Sequence, residues 1–296
     1  MILSVSNLKI VVLIIAITIG TVCSSDAQPR FRVHSVTEAD TVSLVSTERQ
    51  YQGGVATIST DGVTRTIISN GVPRHAVGVF PNAGNPNTIS AQSHRFSVPV
   101  TPEVGAPTEL PRGASFGVAV NGVPFDPDAA EFWQGDPRSG WDYNALGGAV
   151  ALGLDANYGH VQPTGAYHYH GLPVGLMQQL GWSAQAASPL IGYAADGFPI
   201  YALTVEKDGA VVRMTSSYQL KSGMRSGGDA PGGAYDGAFK QDFQYVAGSG
   251  SLDACNGAQV VTADYPQGTY AYFLTDTYPV VPRCLVGALG QGFVKR

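Results

Sequence analysis

The sequence predicts a mainly β protein, organised as a single large domain of antiparallel hairpins with short helices and many loops. Glycine contributes 37 residues and proline 19, which favours frequent tight turns over long helices. Short alternating runs flank Asp-Gly and Asn-Gly pairs, the dipeptides that commonly form hairpin turns. The sequence shows no repeat of fixed period, which argues against a solenoid or a propeller.

The predicted elements follow one another along the chain. Hairpins are predicted around Asp61-Gly62 (residues 55–68), Asn121-Gly122 (115–125) and Ala195-Asp196-Gly197 (189–203). The other predicted elements are an edge strand at 96–100, a short helix within 172–182, a mobile glycine-rich surface loop at 223–237 and a late strand at 268–274. Pro99 supports the edge position of the strand at 96–100, because proline cannot donate a hydrogen bond to a neighbouring strand.

The first 27 residues are typical of a secretory signal peptide. Lys9 precedes an apolar run at residues 10–19, and the small residues Ser25 and Ala27 predict cleavage after Ala27. Because this run is too short to span a bilayer comfortably, the mature chain is predicted to have no membrane span. We therefore expect a secreted or periplasmic protein.

Charge and cysteine content narrow the class of protein further. The net charge is −5 and only 13% of residues are charged, which argues against a nucleic-acid surface and leaves an unknown extracellular ligand or substrate as the expected partner. Loss of Cys23 with the signal peptide leaves Cys255 and Cys284, which predict one disulfide in an exported chain. Two thiolate metal ligands are the competing interpretation.

Three of the six histidines lie close together in a predicted hairpin. Residues 167–170 alternate tyrosine and histidine with the period of a strand, so His168 and His170 point to one face. Pro163-Thr164-Gly165 predicts a three-residue loop, because proline fits the first position of a type I turn and glycine the left-handed position after it. This loop places His160 opposite His168, whereas a two-residue loop would turn His160 to the other face.

Three imidazoles on one face predict a transition-metal site. Histidine is a frequent metal ligand, and three histidines leave coordination positions open for water or a carboxylate. Imidazole suits zinc, copper, iron or nickel, and copper and zinc are the first candidates. Asp155 and Asp196 are the carboxylates expected to supply a fourth ligand or to orient a histidine.

Each of these residues also has a purely structural interpretation. Asp196 precedes a glycine and could serve only to form a turn. Tyr167 and Tyr169 are expected in the core, with a redox or hydrogen-bonding role as the alternative. Trp133 and Trp141 are expected to pack within the protein, although they could also form a platform for a ligand. The histidines themselves could be a solvated group without a metal.

Several blocks of the sequence resemble the YHYH-domain family, named for the motif that stands here at residues 167–170. The further blocks are Asn121-Gly122-Val123-Pro124-Phe125, the stretch 159–163, Asp196-Gly197-Phe198-Pro199-Ile200-Tyr201, the stretch 252–257, and Tyr278-Pro279 followed by Cys284. The resemblance covers residues 70–290 approximately and implies an exported protein. We accordingly divide the chain into the signal peptide (1–27), an N-terminal extension with a hairpin (28–70) and a YHYH domain (71–296).

Two functions are compatible with these observations. The first is metal binding through the histidine hairpin, with hydrolytic or redox chemistry on an extracellular substrate. The second is a non-catalytic extracellular surface or carbohydrate-binding module, in which Trp133, Trp141 and the tyrosines form the contact surface. An enzyme requires a concave site with an open metal position, whereas a binding module requires an exposed aromatic strip.

Overall fold

The computed structural model of the protein describes residues 50–294, so the predicted signal peptide at residues 1–27 lies outside the described part. Short strands dominate this part, which confirms the predicted fold class. The strands are β1 Ala56–Thr60, β2 Thr64–Ser69, β3 His94–Pro99, β4 Thr108–Glu109, β5 Gly117–Ala119, β6 Pro124–Phe125, β7 Gly159–Val161, β8 Tyr167–Tyr169, β9 Gly192–Ala194, β10 Pro199–Ala202, β11 Thr204–Lys207, β12 Ala210–Arg213, β13 Tyr218–Leu220, β14 Phe243–Tyr245, β15 Gly257–Val260, β16 Thr269–Leu274 and β17 Cys284–Leu285. The α-helix α1 spans Val174–Gln179, and 3-10 turns lie at Trp133–Gly135 and Lys240–Asp242.

An eight-stranded sheet forms the centre of the fold, in the order β15-β16-β10-β9-β5-β6-β8-β7. Most neighbouring strands are antiparallel, as predicted, but β10 pairs with β16 and β6 pairs with β8 in parallel. Strand β8 is therefore held on one side by its hairpin partner β7 and on the other by β6, which arrives from earlier in the chain.

The N-terminal hairpin belongs to a separate three-stranded sheet, in the order β1-β2-β3. Its turn is formed as predicted, because the carboxylate of Asp61 accepts the N–H groups of Val63 and Thr64. Every residue of β2 pairs with a residue of β3, from Thr64 with Pro99 to Ser69 with His94. The hairpin of residues 56–69 is thus continuous with a strand that lies beyond residue 70.

One large apolar cluster fills the core beside the central sheet. Its largest fully buried members are aromatic, namely Phe80, Phe116, Phe125, Tyr167, Tyr169, Tyr272 and Phe293. Alternation along β8 sends Tyr167 and Tyr169 into this cluster, so the histidines between and after them face the other way. Burying aromatic side chains of this size supplies much of the apolar area that stabilises the fold.

Cys255 and Cys284 form a disulfide, with their Cα atoms 5.2 Å apart. The bond joins the residues before β15 to β17, which in turn pairs with β4. This confirms the disulfide and removes the alternative of two thiolate ligands. Within residues 50–294, helices long and apolar enough to cross a membrane are absent.

Candidate metal centre

The histidine-bearing hairpin has the predicted register. Strand β7 pairs antiparallel with β8 so that His160 lies directly opposite His168. The N–H of Gln162 donates to the carbonyl of Ala166, which closes a three-residue loop. Gly165 adopts the left-handed conformation, with φ at 86°, as this loop type requires. The turn therefore sets which face His160 occupies.

The three imidazoles converge on a single point. The Nε2 atom of His170 lies 3.0 Å from Nε2 of His168 and 3.1 Å from Nε2 of His160. The three pairs of ring centroids are 4.7, 4.7 and 4.8 Å apart, so the rings are arranged with nearly threefold symmetry. His168 and His170 are buried, whereas His160 is partly exposed.

Backbone carbonyls fix the tautomers of two of these histidines. Nδ1 of His160 lies 2.7 Å from the carbonyl oxygen of Leu152, and Nδ1 of His168 lies 3.3 Å from that of Ala166. Because a carbonyl oxygen can only accept, both contacts favour the tautomer with the proton on Nδ1. For His160 the carbonyl contact at 2.7 Å is shorter than the contact with the amide nitrogen of Asn85 at 3.2 Å. Their Nε2 lone pairs consequently point at Nε2 of His170.

This arrangement has the donor set and spacing of a metal site. Lone pairs that face one another at about 3 Å repel, and a proton on Nε2 of His170 could satisfy only one of the other two rings at a time. A cation at the centre satisfies all three. With metal–nitrogen distances of about 2.0–2.1 Å, nitrogens at the observed separations subtend roughly 90–100° at the ion. The three histidines therefore form a group that could hold one metal ion.

An asparagine-rich loop at residues 82–87 supports β7, the strand at the edge of the central sheet. Asn85 donates from Nδ2 to the carbonyl of Val161 at 2.9 Å, and the same nitrogen lies 3.2 Å from Nδ1 of His160. Asn87 donates to the same carbonyl at 2.8 Å. This loop thus fixes the position of β7, and within it the side chain of Asn82 accepts the N–H groups of Gly84 and Asn85 in an Asx turn.

Asp155 is not part of the histidine cluster. One carboxylate oxygen accepts the N–H groups of Asn157 and Gly159, and the other accepts the N–H of Gly78 and the hydroxyl of Tyr167, the last at 2.7 Å. Tyr167 lies on the strand face opposite the histidines. Asp155 therefore stabilises the turn before β7 and accepts the hydrogen bond of the buried Tyr167 hydroxyl. Its position does not support the expectation that it is a metal ligand.

Asp196 also lies away from the cluster, in the turn between β9 and β10. Its carboxylate accepts hydrogen bonds from the Tyr272 hydroxyl at 2.6 Å and from the backbone of Gly287 and Phe198. Burial raises the pKa of this carboxyl, although these hydrogen bonds act in the opposite direction. Three strand spacings separate β9 from β8, roughly 14 Å, so Asp196 takes the turn role.

The reverse face of β8 carries a buried hydrogen-bond network that the sequence did not reveal. The hydroxyl of Tyr169 donates a hydrogen bond to Nε2 of His75 at 2.5 Å and accepts one from the side-chain amide of Asn121 at 2.9 Å. His75 in turn donates from Nδ1 to the carbonyl of Ala76. Burial raises the pKa of Tyr169 and lowers that of His75. The neutral network thus anchors the strand segment that presents His168 and His170.

Comparison with known proteins adds one finding. A family model described as "YHYH protein" matches residues 95–287, which include the histidine hairpin, α1 and both cysteines. Neither a curated protein nor a solved structure shows a significant match to the chain.

Proposed function

The chain belongs to the YHYH protein family, and we propose that it is an exported protein whose His160, His168 and His170 bind one transition-metal ion. The observation that carries the proposal is the convergence of three Nε2 atoms on one point, with Nδ1 of two of the rings directed at backbone carbonyls. Copper and zinc are the proposed ions, because both accept imidazole ligands.

The proposed chemistry takes place at the open side of this cluster. Three protein ligands leave at least one coordination position for water or a substrate. Bound zinc would supply an activated water for hydrolysis, and bound copper would supply one-electron redox chemistry. The partly exposed His160 marks the side from which an extracellular substrate reaches the ion, since His168 and His170 are buried.

Export is the second part of the proposal. It is supported by the signal-like pattern of residues 1–27 and by the Cys255–Cys284 disulfide, because disulfides persist mainly in oxidising compartments. The first residue of the protein recovered from the periplasm or medium of a producing cell tests this directly. We expect the exported chain to begin at Gln28. A chain that stays inside the cell and still begins at Met1 would refute export.

Metal titration of the purified exported protein tests the site. We expect one zinc or copper ion per chain, with binding that weakens as the pH falls below about 6 because the ligands must be neutral imidazoles. Replacing any one of His160, His168 and His170 with alanine should strongly lower the affinity. His94→Ala is the matched control, since His94 packs beside Phe96 in the other sheet. The site would be refuted if His94→Ala lost as much metal affinity as the other variants, or if the natural protein bound neither zinc nor copper.

A carbohydrate-binding module is the second candidate, and the half-buried Trp133 and Trp141 are the observation in its favour. Both indoles pack against Phe239, with ring centroids 6.0 and 5.4 Å away, and Tyr143 stacks on the same ring. These rings pack against one another in a cluster, whereas a binding module requires an exposed aromatic strip. We therefore rank this function second. Glycan binding that is lost in Trp141→Ala and unaffected by metal removal would reverse the ranking.

A further inference from the structure

A cavity of about 730 Å³ that the metal proposal does not use lies on the other half of the central sheet. Tyr201 of β10 lines it, and the strands β9, β5 and β6 separate β10 from the histidine-bearing β8. Four strand spacings make this separation roughly 19 Å. The volume is typical of sites that enclose a small organic molecule. The cavity is therefore a candidate binding site separate from the histidine cluster.

Hydrogen bonds hold the walls of this cavity together. Beyond β10 the chain turns at Leu203, whose φ is 65°, and continues into the β11–β12 hairpin, which forms one wall. The segment 187–190 forms a second wall, in which the N–H of Ser188 donates to the carbonyl of Thr204 at 3.1 Å. The hydroxyl of Ser188 accepts the N–H of Ala202 at 2.9 Å. The cavity is thus formed before a ligand binds.

The charged side chains that line the cavity are all acidic. They are the exposed carboxylates of Glu206, Asp208 and Asp264. Within residues 50–294 the ion pairs are made by other carboxylates, so lysine or arginine does not neutralise these three. The Tyr201 hydroxyl donates to Oδ2 of Asp264 at 3.1 Å, which fixes that carboxylate at the wall. The excess of negative charge favours a cationic ligand.

Two basic residues of the hairpin leave this excess in place. Arg213 lies opposite Thr204 in the β11–β12 pairing, but its guanidinium forms an ion pair with Asp276. Lys207 follows Glu206 directly in β11. Because successive residues of a strand point to opposite faces, Lys207 points away from the face that carries Glu206. The carboxylates of the cavity are therefore available to a ligand.

A buried hydroxyl at the cavity wall is an independent indication of a ligand. Thr204 lines the cavity and is only 3% exposed, and its Oγ1 atom has no hydrogen-bond partner in the described part of the chain. Alternation along β11 places Thr204 on the face of Glu206, whereas Val205 packs into the apolar cluster that contains Phe273. A buried hydroxyl without a partner is unfavourable, so a ligand group that bonds to it stabilises the complex.

Apolar side chains complete the lining. Leu180 follows α1 and Val261 follows β15, and both are large apolar residues with exposed surface. Pro189 and Leu190 line the same cavity. A methylene chain would cover this surface, which a hydrated inorganic cation would not. The lining therefore favours an organic cation over a metal ion.

We propose that this cavity binds a small aliphatic polyamine, a methylene chain that carries two or more ammonium groups. The ammonium groups bind the carboxylates of Glu206, Asp208 and Asp264. One of them also donates to the hydroxyl of Thr204, and the methylene groups cover the apolar lining. The site goes beyond the proposed metal function and does not depend on it.

Isothermal titration calorimetry of the purified protein with spermidine tests the site. EDTA in the buffer prevents the amine from coordinating a metal ion, and His168→Ala should bind spermidine as the natural protein does. Glu206→Gln and Asp264→Asn should each weaken binding roughly two- to fivefold, as expected for an exposed ion pair. Asp229→Asn is the matched control, because Asp229 is an exposed carboxylate that does not line the cavity.

Thr204→Val tests the hydroxyl separately, since valine has a similar shape but no hydroxyl. The free energy of unfolding of the free protein should rise, because the change removes an unpaired buried polar group. Spermidine binding should weaken roughly two- to tenfold, because the same change removes a hydrogen bond to the ligand. Spermidine binding that is as tight in Thr204→Val as in the natural protein would overturn the assigned role of the hydroxyl.

Two further probes separate a polyamine site from its alternatives. Pentanediol has an aliphatic chain and hydroxyl groups but no charge, and Mg²⁺ has the charge but no chain. Both should bind more weakly than spermidine. Pentanediol that binds as tightly as spermidine would indicate a site for neutral ligands, and Mg²⁺ that does so would indicate only an acidic surface. Either result, or a natural protein that does not bind spermidine, overturns the proposal.

Discussion

At the scale of single residues, the hydroxyl of Tyr169 joins three distant parts of the chain. His75 and Asn121, which contact it, lie 94 and 48 residues away in sequence. The alternation of residues 167–170 correctly predicts that the ring faces the core. Nothing local in the sequence identifies the two side chains that complete the hydrogen bonds, because they approach only through tertiary structure.

We predict that Tyr169→Phe lowers the free energy of unfolding by about 1–3 kcal/mol, because the change removes the common partner of a buried imidazole and a buried amide. Metal affinity should change little, since the ring that separates the histidine ligands remains. Urea denaturation and zinc titration measure the two effects. Tyr245→Phe is the control, because Tyr245 is 40% exposed, and its stability should match that of the natural protein.

The neutral state of His75 predicts a loss of stability in mild acid. Burial lowers the pKa of His75 in the folded protein, so below about pH 6.5 the unfolded chain binds a proton that the folded chain does not. Stability is therefore fully present above that pH and decreases as the pH falls. In His75→Gln, measured without metal, the difference in unfolding free energy between pH 7.5 and 5.5 should be smaller than in the natural protein. Equal differences would contradict this explanation.

At the scale of elements, the histidine hairpin is the part of the candidate site that the sequence predicts best. Its register depends only on residues 159–170 and on a turn with a well-known residue preference, so local rules suffice. The sequence is a weaker guide to the carboxylates. Chain position and residue type suggest Asp155 and Asp196 as ligands, but neither property determines where a loop places a side chain.

The glycine-rich segment 223–237 illustrates the same limit. Its composition predicts a mobile surface loop, yet Arg225 is buried and donates to the carboxylate of Asp242 at 2.8 and 2.6 Å. Asp236 accepts from the same guanidinium. The hydrogen bonds to Asp242 tie the segment to the rest of the protein, and the bond to Asp236 joins its two ends. Neither the glycines nor the spacing of the charges predicts this pairing.

We predict that Gly165→Ala destabilises the protein more than Gly209→Ala does. Both glycines have positive φ, which costs a side chain about 1–2 kcal/mol. A Cβ atom at Gly209 meets open space, whereas one at Gly165 overlaps the side chain of Ser90. Metal affinity should fall only in Gly165→Ala, because only that turn sets the position of His160. Similar losses of unfolding free energy in the two variants would contradict this, because they would show that the Ser90 side chain can move away from the new Cβ atom at no cost in stability.

At the scale of the whole molecule, composition and turn signals predict a β-rich fold but not its strand order. Strand β8 is followed along the chain by α1 and β9, yet its sheet neighbours are β7 and β6. Strand order is determined by which apolar faces pack together, and residues far apart in sequence decide that. The disulfide was predictable because only two cysteines follow the signal-like segment.

Reduction of the Cys255–Cys284 bond should lower the free energy of unfolding by roughly 3–4 kcal/mol, since it releases a closed loop between residues 29 positions apart. Urea denaturation with and without a phosphine reductant measures the change. The protein with both cysteines replaced by serine should be insensitive to the reductant. Two alkylatable thiols in the unreduced exported protein would contradict the bond itself.

The C-terminal segment returns to the N-terminal sheet, and this closure sets the smallest fragment that can be studied alone. Phe293 packs on Phe96 with ring centroids 4.8 Å apart, and Ser97 exchanges two backbone hydrogen bonds with Gln291. Strand β3 therefore has a neighbour on each side, and both neighbours lie outside the family match at 95–287. A gene trimmed to those limits would encode a β3 with both edges open, the kind of surface through which proteins aggregate on expression.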